Sequence, residues 1–523
     1  MKVRTLALSL LLAITLGVTA GCNNNDGVTR SKENGKEIVL RVGDKSISVD
    51  DLFNNLVLTK DGVEGVYNAV DKVVILSSFE VGDEQQKEID KKIKDFEDSV
   101  RSDASSTGLS YTAMREIKLA ELGLKNMDEL KEYYTIQVLR PEVEELYFPT
   151  EYPSVAGQRN ELIKEYVEEA APMHLKHILV KVADSKLYTG FISESEAITL
   201  ARVATRLTDG GSLNTFKRVA YEESQDDGSR VKSGDLGIVD RYTNYVTEFK
   251  YGLYAYLAKG LHKGDEKVSE VLNVPADFDI YDDGFRVIPV SKVKELAEKA
   301  EETVDNPDNK SEITATYPRN EIFNEYFNFP SVAFLAKDPE STATKVTFDE
   351  NGNPSVDLVT DENGNPIVLV RSTYGIHFIS VTKSAFDEDT VAYYTEVKDT
   401  NAVEGLDPYI LQGSTTSEKK TRYDEITSAV KNYINGAAQG LTADQNILKY
   451  RIFKYFLEKE DITFNNELEF EYGYDNKKAN LETIVLNYID AQVSYKKLSV
   501  DNTIELSWLN YKRQLEREIE QRA

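Results

Sequence analysis

The run HLKHILVKV, residues 174–182, holds two of the chain's four histidines, His174 and His177. Its second half, HILVKV, is a β-rich apolar segment bounded by polar sequence, which predicts a buried strand. The downstream pattern changes period. Ser193 with Glu196 forms a capping box ahead of Ile198, Ala201, Ala204 and Leu207 at helical spacing, and DGG at 209–211 ends that helix. SLNTFKRVAY, residues 212–221, predicts a second short helix, and SGDLGIV, 233–239, a turn into a strand. Far along the chain, YGIHFISV at 374–381 is another apolar strand, and it carries His377. The remaining histidine is His262. Strands interspersed with short helices around two histidines predict an α+β domain over residues 173–385.

The flanks read differently. EIVLRVGDKSISVDDLFNNL, residues 37–56, predicts strand, turn, strand and then a helix capped by Ser48. Ile89, Ile93, Phe96 and Val100 share one helical face, and amphipathic helices continue to about residue 171. Beyond residue 420 the helical period returns. Thr442 with Gln445 fits a capping box, and Ile504, Trp508, Tyr511, Leu515 and Ile519 form a stripe. Each end lacks an obvious partner surface, so segments 37–171 and 420–523 are expected to pack together as one mainly helical domain, with the α+β domain inserted between them. A self-contained C-terminal bundle is the alternative.

At 523 residues the chain is long enough for two or three domains, and its formal net charge of −28 disfavours nucleic acid as a partner. Lys2 and Arg4 precede the apolar stretch LALSLLLAITLGV, residues 6–18, which is short for a membrane span. TAGC follows at 19–22. Small residues ahead of a cysteine resemble a bacterial lipobox, and Cys22 is the only cysteine in the chain. Residues 1–21 are therefore expected to be a lipoprotein signal peptide, with Cys22 the lipidated first residue of the mature chain and residues 22–36 a polar tether. The protein is then held on the extracytoplasmic side of the cell membrane by its lipid.

HILVKV, the Ala-rich helix ending in DGG, FKRVAYEESQDDGSRVKSGDLG, VTEFKYGLYAYLAKG and YGIHFISV occur in an order that resembles the parvulin-type peptidyl-prolyl isomerase domain. With a lipobox ahead and helical flanks, the whole is similar to the PrsA-like foldase lipoproteins. The resemblance implies a parvulin-like antiparallel sheet surrounded by helices. It places the family's two histidines on His177 and His377, and the polar position opposite them on Asp226, with Asp227 the near alternative. The proline pocket falls on Leu236, Tyr245 and Phe249, with Tyr374 close by. His174 lies outside the pattern and is expected to be incidental or a surface residue near the rim. Three departures stand out: Ser233 in place of the first glycine of GGDLG, Tyr245 where methionine is common, and Lys250 where glutamate is usual. An insertion at about 275–370 exceeds the family's connection.

Prolyl isomerisation breaks no covalent bond; its barrier, about 18–20 kcal/mol, is loss of amide resonance. An apolar pocket for the ring and a polar network near the carbonyl are what such a catalyst needs. Four histidines and one cysteine offer no evident zinc set, and no phosphate-binding glycine loop is present, so neither metal nor cofactor is expected. DENGNP occurs at 349–354 and 361–366; proline stands where a calcium loop requires glycine, so both are expected to be turns. The expected partners are unfolded or partly folded exported proteins and the membrane, with pairing to a second copy left open. The competing readings are a holding chaperone with a weak or inactive parvulin domain and, on lipobox and acidity alone, a solute-binding lipoprotein.

Overall fold

The structure is a computed structural model that describes residues 32–33, 35–42, 45–150, 157–183, 187, 190, 192–302, 320–337, 343–395, 418–434, 446–459, 464, 469–472 and 477–520. The lipobox with Cys22, the tether to residue 31, the Thr442–Gln445 pair and the loop 304–312 lie outside them. Among the described residues no helix is long and apolar enough to cross a membrane. The chain divides into two compact units, Met1–Tyr147 with Lys449–Val493, and Phe148–Leu448 with Ser494–Ala523.

In the first unit, strands β1 (Lys32–Glu33), β2 (Lys36–Val42) and β3 (Lys45–Ser48) pair antiparallel. Ser48 caps the helix Val49–Val57, and Asp51 returns a bond to the Ser48 N–H, a reciprocal capping box. Helices Lys60–Ser78, Asp83–Thr107, Tyr111–Glu121 and Met127–Tyr147 follow. Phe96, Val100, Met114, Leu119 and Leu130 make one apolar cluster; Val57, Val63 and Tyr67 pack with Phe453, Phe470, Val485 and Ile489 in another.

The second unit is built on a seven-stranded sheet. Its strands are β4 (Met173–Lys181), β5 (Asp235–Val239), β6 (Phe285–Pro289), β7 (Val332–Ala336), β8 (Lys345–Val346), β9 (Ile367–Ser372) and β10 (Gly375–Ser384), in the order β5-β4-β10-β9-β7-β6-β8. The protein is thus α+β, but the sheet is mixed rather than antiparallel, because β6 and β7 run parallel. A parallel pair needs a long crossover, and the helix Val290–Glu302 lies in it. The insertion at 275–370 is therefore a continuation of the sheet, supplying β6 to β8 and the first residues of β9. Apolar layers cover both faces. Val368 and Val370 face a cluster with Phe249, Tyr251 and Trp508, while Ile367 and Leu369 face another with Leu200, Ala204 and Leu296. Strands buried on both faces read as unbroken apolar runs, which is why HILV and IVLV lack alternation.

The C-terminal stripe departs from expectation. Ile504, Trp508, Tyr511 and Leu515 join the core of the sheet-bearing unit, and Ile519 is exposed. The indole explains this: Trp508 Nε1 donates to the Leu272 carbonyl at 2.8 Å, and Phe278, Tyr251 and Tyr511 wall the ring. Further along, Glu518 and Arg371 form a buried ion pair at 2.7 Å. Residues 148–171 and 420–448 also belong to this unit. Both DENGNP stretches are turns. Asp349 and Asp361 accept backbone N–H groups two and four residues on, and Phe348 bridges Pro354 as Thr360 bridges Pro366.

Candidate active site

Strands β4 and β10 pair with Ile379 opposite His177 and His377 opposite Leu179, so the two histidines are diagonal neighbours on one face of the sheet. Glycines permit this approach. Gly375, at φ +136°, lies so close to β4 that a Cβ would meet the Val180 carbonyl, and Gly234, at φ +84°, would meet that of His177. The Gly234 carbonyl in turn accepts the His177 N–H at 2.8 Å. Ser233, the residue that departs from the GGDLG pattern, adopts φ +57°, a left-handed conformation that glycine occupies without the Cβ penalty.

Each polar atom of the pair has a partner. His177 Nδ1 and His377 Nδ1 are 3.2 Å apart; His177 Nε2 is 2.9 Å from Asp226 Oδ2 and 2.7 Å from Ser229 Oγ; His377 Nε2 is 2.7 Å from Ser372 Oγ. The carboxylate accepts only, which assigns the remaining protons. His177 Nε2–H donates toward Asp226, leaving Nδ1 to accept from His377 Nδ1–H. His377 Nε2 then accepts the Ser372 hydroxyl. Ser372 also accepts the Tyr374 N–H, and Ser229 donates to Asp226. The result is a one-way donor chain, Ser372 to His377 to His177 to Asp226.

Electrostatics match this assignment. Burial pushes the His377 pKa down to about 3, helped by His177. Burial also lowers that of His177, against the pull of Asp226. Burial alone would raise the Asp226 pKa, but hydrogen bonds from Ser229 and His177 outweigh it and hold it at about 2. Near neutral pH the site thus holds two neutral imidazoles and one carboxylate.

Phe249 stands edge-on to both imidazoles, with ring centroids 6.3 Å from His177 and 5.2 Å from His377. It projects from the helix Thr247–Tyr256. Tyr245 stacks on it at 5.2 Å and 20°. The Tyr245 hydroxyl feels Asp226, which adds to burial in raising its pKa. Leu236 packs against the same apolar cluster and lines a cleft with Asp235, Tyr242 and Glu425. Tyr374 does not join the group: its side chain is exposed, and only its N–H is engaged. Asp227 is likewise exposed, so Asp226 is the aspartate that meets the histidines. Lys250 is fully buried, its Nζ donating to the carbonyls of Arg241 and Thr243, with burial lowering its pKa to about 7.

Sequence reasoning missed Ser229 and Ser372. Ser229 lies three residues after Asp226, the spacing of an N-cap, and Asp226 does cap the turn Asp227–Arg230. Ser372 gave no local signal, since only the β9–β10 hairpin brings it to His377. The expectation that His174 is a surface residue also fails: it is buried, 6 % exposed, with Nδ1 2.9 Å from Thr382 Oγ1.

No family model matches the chain, and no curated protein matches it in sequence. Among solved structures it is similar to a crystal structure of the peptidylprolyl isomerase PrsA from Bacillus cereus, at 14% identity and a TM-score of 0.27, over 83% of this chain and 95% of that one. PrsA from Bacillus subtilis aligns over 83% and 96% at 16% identity and a TM-score of 0.20. The foldase protein PrsA from Streptococcus pneumoniae aligns over 82% and 96% at 10% identity and a TM-score of 0.18.

Proposed function

We propose that this protein is a membrane-anchored extracytoplasmic foldase that catalyses cis-trans isomerisation of Xaa-Pro peptide bonds in exported proteins. The observation that carries the reading is the donor chain Ser372–His377–His177–Asp226 lying against the ring of Phe249. Isomerisation requires no nucleophile and no net proton transfer, and a site of neutral imidazoles around one fixed carboxylate has that character. Phe249 and Tyr245 supply the apolar contact for a proline ring, with Leu236 beside them. Desolvation there disfavours the charge-separated resonance form of the amide and so weakens its double bond. Asp226 supplies a fixed negative field near the carbonyl, which further disfavours the planar charge-separated form, while the histidines hold its geometry. A lipidated Cys22 would keep the site at the membrane, where exported chains emerge. Exposed apolar side chains of the first unit, such as Phe53, Leu56 and Val73, suit transient contact with such clients.

A second reading has one observation in its favour. Tyr245 lies flat on Phe249 and covers the ring that a substrate proline would use. A holding chaperone with a closed or inactive pocket fits that contact. A protease-coupled assay on short Xaa-Pro peptides, run beside an aggregation assay with a reduced, unfolded protein, separates the two. Catalysed exchange supports the foldase. Suppressed aggregation without catalysed exchange on several Xaa-Pro sequences replaces it with the holding chaperone.

A further inference from the structure

We infer that His174, Asp235 and Glu425 form a divalent-cation site, with zinc the ion that fits best. Their candidate ligand atoms all lie within 4.8 Å of one another. His174 comes from β4, Asp235 from β5 and Glu425 from the helix Glu418–Ile434, so three separate elements converge.

The proton inventory carries the inference. Thr382 Oγ1 donates its hydrogen to the His174 carbonyl at 3.0 Å. With that hydrogen spent, the hydroxyl is an acceptor for His174 Nδ1–H, 2.9 Å away, the arrangement that a metal held at Nε2 requires. The lone pair of Nε2 then faces Asp235 Oδ1 and Glu425 Oε2, each 3.3 Å distant. Neither oxygen hydrogen-bonds to it: Nε2 is a buried atom without a hydrogen-bond partner. Among the described residues no lysine or arginine pairs with either carboxylate. Three candidate ligand atoms from separate elements thus face one another with no lysine or arginine between them.

The spacing selects the ion. Bonds of about 2.0–2.1 Å to a tetrahedral zinc separate its ligand atoms by about 3.3–3.4 Å. An octahedral magnesium at the same bond length requires about 2.9 Å. The 3.3 Å from Nε2 to each oxygen is close to the tetrahedral edge, and the two oxygens lie within 4.8 Å of each other. Supporting contacts are in place. Thr382 orients the imidazole, and the Gly237 N–H donates to Asp235 Oδ1 at 2.7 Å. Gly237, at φ +68°, lies beside the Glu425 carboxylate. Three protein ligands leave a fourth position for water on the side of the cleft lined by Asp235, Tyr242 and Glu425. The bound ion would pin the helix Glu418–Ile434 to the edge of the sheet.

The test is equilibrium dialysis of the full-length chain, stripped by a chelator, against Zn2+, with the metal content measured. One zinc per chain is expected for the wild type, together with a higher melting temperature than in chelator. H174Q and E425Q should each lower zinc affinity by at least the 10- to 100-fold typical of losing an outer-shell partner. E425Q changes a half-buried helix position at constant shape, so it keeps the test valid should H174Q fold poorly. H177Q should bind zinc as the wild type does. Cobalt in place of zinc should give the strong visible absorption of a four-coordinate ion. Absence of bound zinc in the wild type, equal affinity in E425Q, or loss of zinc in H177Q would each overturn the site.

Discussion

Two clusters start from one strand three residues apart, and they differ in how many protons they have to share. Around His177 the count closes. Ser372, His377 and His177 each donate once toward Asp226, and no lone pair faces another without a hydrogen between them. Around His174 it does not, because Thr382 spends its hydrogen on a carbonyl and the buried Nε2, without a hydrogen-bond partner, faces two carboxylates. A closed count makes a rigid, neutral site that can act through its field. An open count makes a ligand set. Residue identity alone separates neither, since both are histidines with aspartates nearby.

The comparison can be broken most sharply at Phe249, which among the described residues is the ring that stands edge-on to both members of the histidine pair. Phe249→Ala should cost about 3–5 kcal/mol of stability, read by denaturant unfolding, and Phe249→Leu, which keeps most of the volume, should lower kcat/KM on an Xaa-Pro peptide with far less destabilisation. A fully active Phe249→Ala would leave the apolar floor without a role.

Asp226 is the acceptor at which the donor chain ends. Losing a hydrogen bond to a charged group is worth about 1.5–3 kcal/mol, so Asp226→Ala should lower kcat roughly ten- to hundredfold while KM moves little. The opposite pattern, a raised KM with kcat intact, would make Asp226 a binding group only.

The neutrality of the pair predicts an acid limb in stability. His377 has a folded pKa of about 3 against an ordinary 6.5. Below about pH 6.5 the unfolded chain therefore takes up a proton that the folded chain refuses, and stability falls as pH drops toward 3. Asp226 adds loss in the same direction between its ordinary 3.8 and about 2. Urea unfolding at pH 7 and pH 4 should show a smaller drop for His377→Gln than for the wild type. Equal drops would mean that the imidazole is not held neutral.

The remaining test is at the other cluster and leaves isomerisation untouched. Thr382→Val removes the partner of His174 Nδ1 and should weaken zinc binding about 10- to 100-fold without altering prolyl isomerisation. A change in isomerisation instead would show that the two clusters are coupled.

Much of the first cluster was legible because its residues sit in stretches with their own local signal. HILVKV and YGIHFISV read as strands carrying His177 and His377, while Asp226 came from the family resemblance alone. What was hidden depends on pairing register. Ser372 reaches His377 only through the β9–β10 hairpin, and Glu425 reaches His174 only when a distant helix docks on the sheet edge. The insertion misled for a related reason: its strands follow the same apolar rule as the rest of the sheet, so length looked like an excursion where it was a continuation. The Trp508 stripe showed that a helix face needed burial but could not say against what, because an apolar face carries no address.

The most direct test of the isomerase reading is the cis-trans exchange rate of a short Ala-Pro peptide, followed by exchange NMR with the full-length chain added in catalytic amounts. The account predicts exchange accelerated well beyond the uncatalysed rate of tens of seconds or slower, with the acceleration largely lost in Asp226→Ala protein that remains folded. An unaccelerated rate with folded wild-type protein, across several residues preceding the proline, would contradict it.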